Sequence, residues 1–402
     1  MEKKNKRPEM IKYVLLTVFA VAVVVVGCLY ATKNAMLFTG QSGSNADMYL
    51  TKVDVILSHE EYEDEYTPGQ SLMQTAVRFT CHVIYGEKKG ESMVATQYYD
   101  DLTGKSGIPV EPGDWIYVYP MEGSGDMMAG FFFRIKYLAV LFVILFVILL
   151  IFARLKGIAT MMSLGLTILS VFFVFIPAIL SGYNVYFWTI LVCLYSIIIT
   201  PPFIGGFNKK SLASIVGSVT GVAVAGALTA VMNSMMKITG FADEDDVYVT
   251  MMLGEPIDMR AITFAAILIG ALGSTLDVSM SIAASVWEMH ESTGKSDFRS
   301  LLASGFNIGR DILGTQISTL VLAYIGSSLC TVLLYVGYTP SLMQMLNLEG
   351  VIIKIFDSLI GATTIILTIP FTAIVSAAML AGENKVSLIS EGKRSFRIGH
   401  NG

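Results

Sequence analysis

The sequence predicts a mainly α-helical membrane protein that crosses the bilayer about eight times and carries a small β-rich domain after its first span. The 402 residues are 54% hydrophobic, with a mean hydropathy of +0.64. Only 15% of them are charged, compared with about 25% in soluble domains. Apolar runs long enough to cross a bilayer as helices recur along the chain. This composition excludes an ordinary soluble enzyme, and the net charge of −5 offers no basic surface for nucleic acid.

The N-terminal region predicts a membrane anchor. Residues 1–12 are basic and residues 13–30 are apolar. A secretory signal peptide is the alternative, but the sequence after residue 30 is a poor small-x-small cleavage site. We therefore expect a cytoplasmic segment 1–12 and an uncleaved first span 13–30.

Residues 31–135 predict an extracytoplasmic β-rich domain. Short alternating runs at 50–57, 76–85 and 93–99 and the segment 111–119 are separated by turn signals. Four or five strands of this kind predict a small β-barrel or β-sandwich. The acidic run 59–65 is interpreted as a solvated loop.

Seven further apolar spans predict a helical membrane domain over residues 136–380, followed by a cytoplasmic tail, 381–402. Lysine and arginine concentrate in alternate loops, and the other short loops hold only Lys237, Arg260 and Lys354. The positive-inside rule then puts both termini in the cytoplasm and the acidic 243–246 loop outside. The spans are 137–153, 158–180, 185–204, 211–236, 260–288, 311–337 and 351–380.

No motif predicts catalysis, a cofactor or a metal site. The strings around Lys105 and Lys295 lack the upstream glycine of a phosphate-binding loop, and His290 lacks the second histidine of a zinc protease. A stripe of small residues in the fifth span, Ala213, Gly217, Gly221 and Ala225, is interpreted as helix packing. We therefore expect no enzyme, no cofactor and no nucleic-acid partner.

Acidic residues inside the last three spans are the strongest functional signal. A carboxylate in hydrocarbon costs about 2.5–3.5 kcal/mol on insertion scales, so it normally faces a bundle interior or water. Asp277 lies in the middle of the sixth span, on a small and polar face that also holds Ser274 and Ser281. The opposite side of that span holds large apolar residues and suits lipid or apolar helices.

Two further acids extend this pattern. Asp311 begins the seventh span beside Arg310, with Thr315 on the same face, and Asp357 begins the eighth, with Thr364 at helical spacing. At about 1.5 Å per residue, we expect Asp357 near the outer side, Asp277 near the middle and Asp311 near the inner side. The three acids predict an ion or proton pathway; the alternative for Arg310 and Asp311 is a structural ion pair at the membrane boundary.

A charged segment precedes the sixth span. Glu255, Asp258 and Arg260 could form an outer entrance for ions. A helix cap with a surface ion pair is the favoured alternative.

The segments 270–282 (GALGSTLDVSMSI) and 309–315 (GRDILGT) resemble the YibE/F family of bacterial multispan membrane proteins. The resemblance extends over roughly residues 50–385, including the segment 112–118 before the second span. Family members commonly continue the second motif with Asn-Thr-Leu, whereas residues 318–320 here are Ser-Thr-Leu. The resemblance implies a bacterial cell-membrane protein and supplies no function.

Two functions fit these residues. The first is an ion- or proton-coupled transporter or permease for an unidentified small solute, in which the three acids carry the coupling ion. The second is a membrane-anchored sensor or assembly module whose β domain binds a protein partner. An intramembrane hydrolase ranks third, because it would require Asp277 and Asp311 to lie close together.

Overall fold

Helices and one small sheet form the structure, a computed structural model. It describes residues 6–33, 48–67, 70–86, 88–100, 108–121, 127–242, 244–253, 257–294 and 297–398. The chain divides into two compact units, one of residues 38–151 and one of residues 1–37 with 152–402.

The first unit contains a closed five-stranded barrel, which decides between the predicted barrel and sandwich. Its strand order is β1-β2-β3-β5-β4, and β4 pairs with β1 to close it. The β3–β5 pair is parallel and the other pairs are antiparallel. This is the strand order of an OB fold. The strands are β1 Tyr49–Thr67, β2 Gln70–Tyr85, β3 Ser92–Asp100, β4 Trp115–Pro120 and β5 Met127–Phe132.

Alternation along β2 fills the barrel core as predicted. Val77, Phe79 and Cys81 are buried, and burial raises the pKa of the Cys81 thiol. On β1, Val53 is buried but Val55 is 57% exposed. An irregularity in the register between these two residues changes the face that the strand presents.

The predicted loop at 59–65 is wrong, because these residues continue β1 and pair with β2. Glu60 lies opposite Ala76 and Glu61 lies opposite Thr75. At these two positions the acidic residue has an uncharged neighbour across the hairpin, so like charges do not oppose each other directly. Backbone pairing therefore extends through an acidic sequence.

Helix α2, Ile135–Ala153, begins three residues after β5. It is long and apolar enough to cross a membrane, and none of its residues is buried. The division into units falls after residue 151, so the predicted boundary at 135 lies inside the first unit.

The second unit is helical. Seven helices of the chain, α2 included, pass as candidate spans by length and composition; a bent pair, α9 and α10, raises the number to eight if counted as one span. That pair is the predicted seventh span, and its two parts meet at a bend of 60°. A π-helix at Val171–Phe175 joins α3 to α4. The helices are α1 Lys6–Ala31, α3 Leu155–Ser170, α4 Ile176–Leu180, α5 Val185–Gly205, α6 Lys209–Met235, α7 Glu244–Leu253, α8 Met259–Thr293, α9 Phe298–Ser327, α10 Leu329–Tyr338, α11 Leu342–Met345 and α12 Glu349–Ile398.

The acidic segment 243–246 was predicted as a loop, and this is wrong for residues 244–246, which begin α7. Residue 243 lies outside the described residues. The Asp246 carboxylate accepts a hydrogen bond of 2.7 Å from the backbone N–H of Ala242. Acidic side chains in a first helical turn are favoured by the helix dipole.

Helix α12 packs against α6, α8 and α9. Gly217 of α6 faces Thr372 of α12, and Gly221 faces Thr368, so closely that a Cβ on either glycine would overlap the threonine hydroxyl. The interpretation of the α6 small-residue stripe as packing agrees with this contact. Small residues allow two membrane helices to approach closely.

We predict that Gly217→Ala destabilises the helical unit, because the added methyl group overlaps Thr372. Overpacking of this kind costs about 1–3 kcal/mol. The measurement is the thermal midpoint of the detergent-solubilised protein, followed by size-exclusion chromatography of heated samples.

Gly165→Ala on α3 is the matched control, since nothing lies within 4 Å of its added Cβ. Alanine has the higher helix propensity, so this variant should keep or raise the midpoint. Equal midpoints for the two variants would contradict the proposed close contact.

Candidate functional site

Helix α8 has polar residues on two sides. On the buried side, the Ser279 hydroxyl lies 2.7 Å from the hydroxyls of Ser214 and Ser218 on α6. Ser279 also donates to the backbone carbonyl of Leu276 at 3.0 Å. Since a hydroxyl has one proton to donate, Ser214 and Ser218 both donate to Ser279. This hydroxyl cluster is satisfied and joins two helices.

The other polar side of α8 is exposed. Gly270, Gly273, Asp277 and Ser281 are exposed there, and Ser274 is half-buried. The large apolar residues Leu268, Leu272 and Ile282, expected to face lipid or apolar helices, are buried within the helical unit. The helix therefore turns its apolar side inward and its small, charged side outward.

Helix α9 presents a similar exposed side, formed by Arg310, Asp311, Gly314, Thr315 and Ser318. The Thr315 hydroxyl donates a hydrogen bond of 2.8 Å to the backbone carbonyl of Ile312, and its oxygen can still accept one. We call these two sides together the open polar face. It comprises Gly270, Gly273, Asp277 and Ser281 on α8 and Arg310, Asp311, Gly314, Thr315 and Ser318 on α9.

Tyr324 of α9 lies where the exposed sides of α8 and α9 meet, and the sequence did not single it out. A Cβ added to Gly270 of α8 would overlap the Tyr324 hydroxyl of α9 and lie 3.8 Å from Oδ1 of Asp357 on α12. Both oxygens are buried and neither makes a hydrogen bond of good geometry within the described residues, although the Tyr324 hydroxyl and the Asp357 carboxyl interact with each other. The sequence signals for this junction of three helices are the glycine at position 270 and the acid Asp357.

Contacts along α8 and α9 fix the relative depth of the three acids. Gly305 of α9 lies against Val286 of α8, and Tyr324 lies against Gly270. With about 1.5 Å per residue, Asp277 lies about 4.5–9 Å along the helix axis from Asp311. Asp357, beside Gly270, lies about 10 Å from Asp277 in the other direction. The order in depth is Asp357, Asp277, Asp311.

The charges on the open polar face lack ion partners. Within the part of the chain that the structure describes, no ion pair involves Asp277, Arg310 or Asp311; the ion pair found there joins Asp54 to His82 in the barrel. A charged side chain costs about 2.5–3.5 kcal/mol at the centre of a bilayer, so charged groups within a membrane normally face water or protein.

Two threonines of α12 are hydrogen-bonded within their own helix. Thr364 is buried and donates to the carbonyl of Ile360 at 2.7 Å. Thr368 donates in the same way to Thr364 and faces Gly221 of α6. Hydroxyls that bond the preceding turn are satisfied within their own helix.

The predicted entrance contains a helix cap. Asp258 precedes α8, and its carboxylate accepts a hydrogen bond of 3.2 Å from the backbone N–H of Ala261. Arg260 is exposed, and Glu255 lies outside the described residues. Among the residues that were described, no cluster of three or more His, Cys, Asp or Glu side chains could hold a metal ion.

We predict that Tyr324→Phe leaves the stability unchanged or raises it. Its hydroxyl oxygen is buried beside the Asp357 carboxyl but makes no hydrogen bond of good geometry among the described residues, so removing it costs little hydrogen-bond energy. The measurement is the thermal midpoint in detergent.

Tyr195→Phe is the matched control, because the Tyr195 hydroxyl donates to the carbonyl of Ala20 at 3.2 Å. Loss of one hydrogen bond should cost about 0.5–1.5 kcal/mol. A larger loss for Tyr324→Phe than for Tyr195→Phe would show that the Tyr324 hydroxyl has a structural partner.

Comparison with known proteins identifies the family of the helical region. The model of the YibE/F-like protein family matches residues 141–382, which contain α8, α9 and the membrane part of α12. No curated relative and no solved structure matches the chain. Since the match covers more than half of the sequence, the chain belongs to the YibE/F-like protein family.

Proposed function

We propose that this protein is an ion- or proton-coupled membrane transporter for a small solute, and that the coupling ion passes along the open polar face. The observation that carries the proposal is Asp277. This carboxylate lies in the middle of an apolar helix, is exposed, and has no ion partner within the described residues.

The arrangement of the acids supports this function. Asp357, Asp277 and Asp311 follow one another in depth, and hydroxyls of Ser281, Thr315 and Ser318 lie on the same faces. Carboxylates that line a water-filled path bind and release cations or protons, whereas hydroxyls replace part of an ion's hydration. Tyr324 adds a hydroxyl beside Asp357. We assign no catalytic residue.

The proposal includes a location and an orientation. We place the chain in the bacterial cell membrane with both termini in the cytoplasm, because lysine and arginine concentrate in the loops of that side. Eight spans, with α9 and α10 as one, return the chain to its starting side. Residues 31–135 then lie outside the cytoplasm.

We predict that Asp277→Asn lowers ion-coupled flux by about tenfold or more, which corresponds to about 1.4 kcal/mol in the barrier. Asparagine keeps the size of the side chain but removes the charge and the titratable proton. The measurement is charge movement in liposomes that contain the purified protein, while pH and a panel of cations are stepped.

Glu291→Gln is the matched control, because Glu291 is an exposed acid near the C-terminal end of the same helix. It should retain the flux of the unmodified protein. Equal flux in Asp277→Asn and Glu291→Gln, from folded protein of known orientation, would refute the assigned role of Asp277.

The orientation predicts the labelling of single cysteines in intact cells. Tyr85, 80% exposed on the barrel, is replaced by Cys in a background without the four native cysteines. This residue should react with a membrane-impermeant maleimide. Ser292 lies near the C-terminal end of α8, which the proposed topology puts on the cytoplasmic side. Ser292→Cys should therefore react only after permeabilisation. The reverse pattern would invert the proposed topology.

A second candidate function rests on the barrel. Val55, Thr80 and Val94 lie side by side on β1, β2 and β3, and both valines are exposed. OB folds bind their ligands over the strands near this part of the barrel. A sensor or assembly module would lose its partner in Val55→Glu with Val94→Glu, whereas a transporter would keep its flux.

A further inference from the structure

Among the residues that the structure describes, none covers the open polar face. Asp277, Arg310 and Asp311 are exposed on helices whose other residues are mainly apolar. Charged side chains within membrane-spanning helices normally face protein or water and not lipid.

The open polar face carries both an acidic and a basic side chain, so two copies of it can be complementary in charge. The acid Asp277 lies on α8 and the base Arg310 lies on α9, and no ion pair joins them within the described chain. The contacts of Gly305 and Tyr324 with α8 put Arg310 about 6–10 Å along the helix axis from Asp277. An arginine side chain can span this separation.

Twofold symmetry can bring these opposite charges of two copies together. In a dimer with its twofold axis along the membrane normal, each residue keeps its depth, and the same surface patch meets itself. When α8 of one copy faces α9 of the other, Asp277 meets Arg310 of the partner subunit, and the contact occurs twice.

The rest of the face suits such a contact. Nothing lies within 4 Å of a Cβ added to Gly273 or to Gly314, so a second helix can approach each glycine. Small residues at these positions permit close packing, and Ser281 and Ser318 can form hydrogen bonds across the interface.

We propose that the protein is a homodimer through the open polar face, in which Arg310 of one copy pairs with Asp277 of the other. The dimer does not rest on the proposed function.

Charge reversal tests the pairing. D277R and R310D each leave two like charges facing each other, so each should be a monomer in bilayers, measured as the number of photobleaching steps of labelled protein at low density. The double variant, D277R with R310D, restores opposite charges and should be a dimer like the unmodified protein. A monomeric unmodified protein, or single variants that stay dimeric, would overturn the proposal.

Cross-linking tests the face without altering its charges. In a background without native cysteines, a single cysteine at Gly273, Ser281 or Ser318 is exposed to a short bismaleimide in membranes. At least one of the three should give a covalent dimer. Ile198→Cys, on the exposed side of α5, should give none. If water or a different protein covers this face, no dimer band should form at any of these positions.

The two proposals fail in different ways. A dimer without flux would refute the transporter and leave the interface standing. An unmodified protein that carries flux as a monomer would refute the interface and leave transport standing.

Discussion

Close packing of α12 against its neighbours is the contact on which the helical unit depends. Thr372 and Thr368 pack against Gly217 and Gly221 of α6 so closely that neither glycine has room for a Cβ. Because the backbones approach so closely, the threonine hydroxyls bond to their own helix, Thr372 to the carbonyl of Thr368 at 2.8 Å. A polar side chain can then be buried between helices without an unpaired proton.

This packing determines which way α8 turns. Thr275 and Ser279 take the side toward α6 and are buried together with Leu272 and Ile282. The residues at the opposite side of the helical wheel, Asp277 among them, are left exposed. The charged side is thus a consequence of how well the other side of α8 fits the bundle.

The barrel follows a different rule. Alternation along β2 puts Val77, Phe79 and Cys81 in the core, and the acidic part of β1 stays paired because its neighbours across the hairpin are uncharged. Local charge predicted a loop there, whereas backbone pairing with β2 decided the outcome. Hydrogen bonds between strands depend on a second segment of chain, which a local pattern does not include.

The sequence by itself determined the membrane character, the approximate positions of the spans and the presence of a small β domain, because hydropathy and alternation are local properties. It also singled out Asp277, Asp311 and Asp357, since acids within apolar runs are visible without a fold. Only the tertiary structure decided that the barrel is closed, that Thr368 packs on α6, and that Tyr324 lies beside Asp357. These features depend on which helix or strand becomes the neighbour, and that choice is made by packing between residues far apart in the chain.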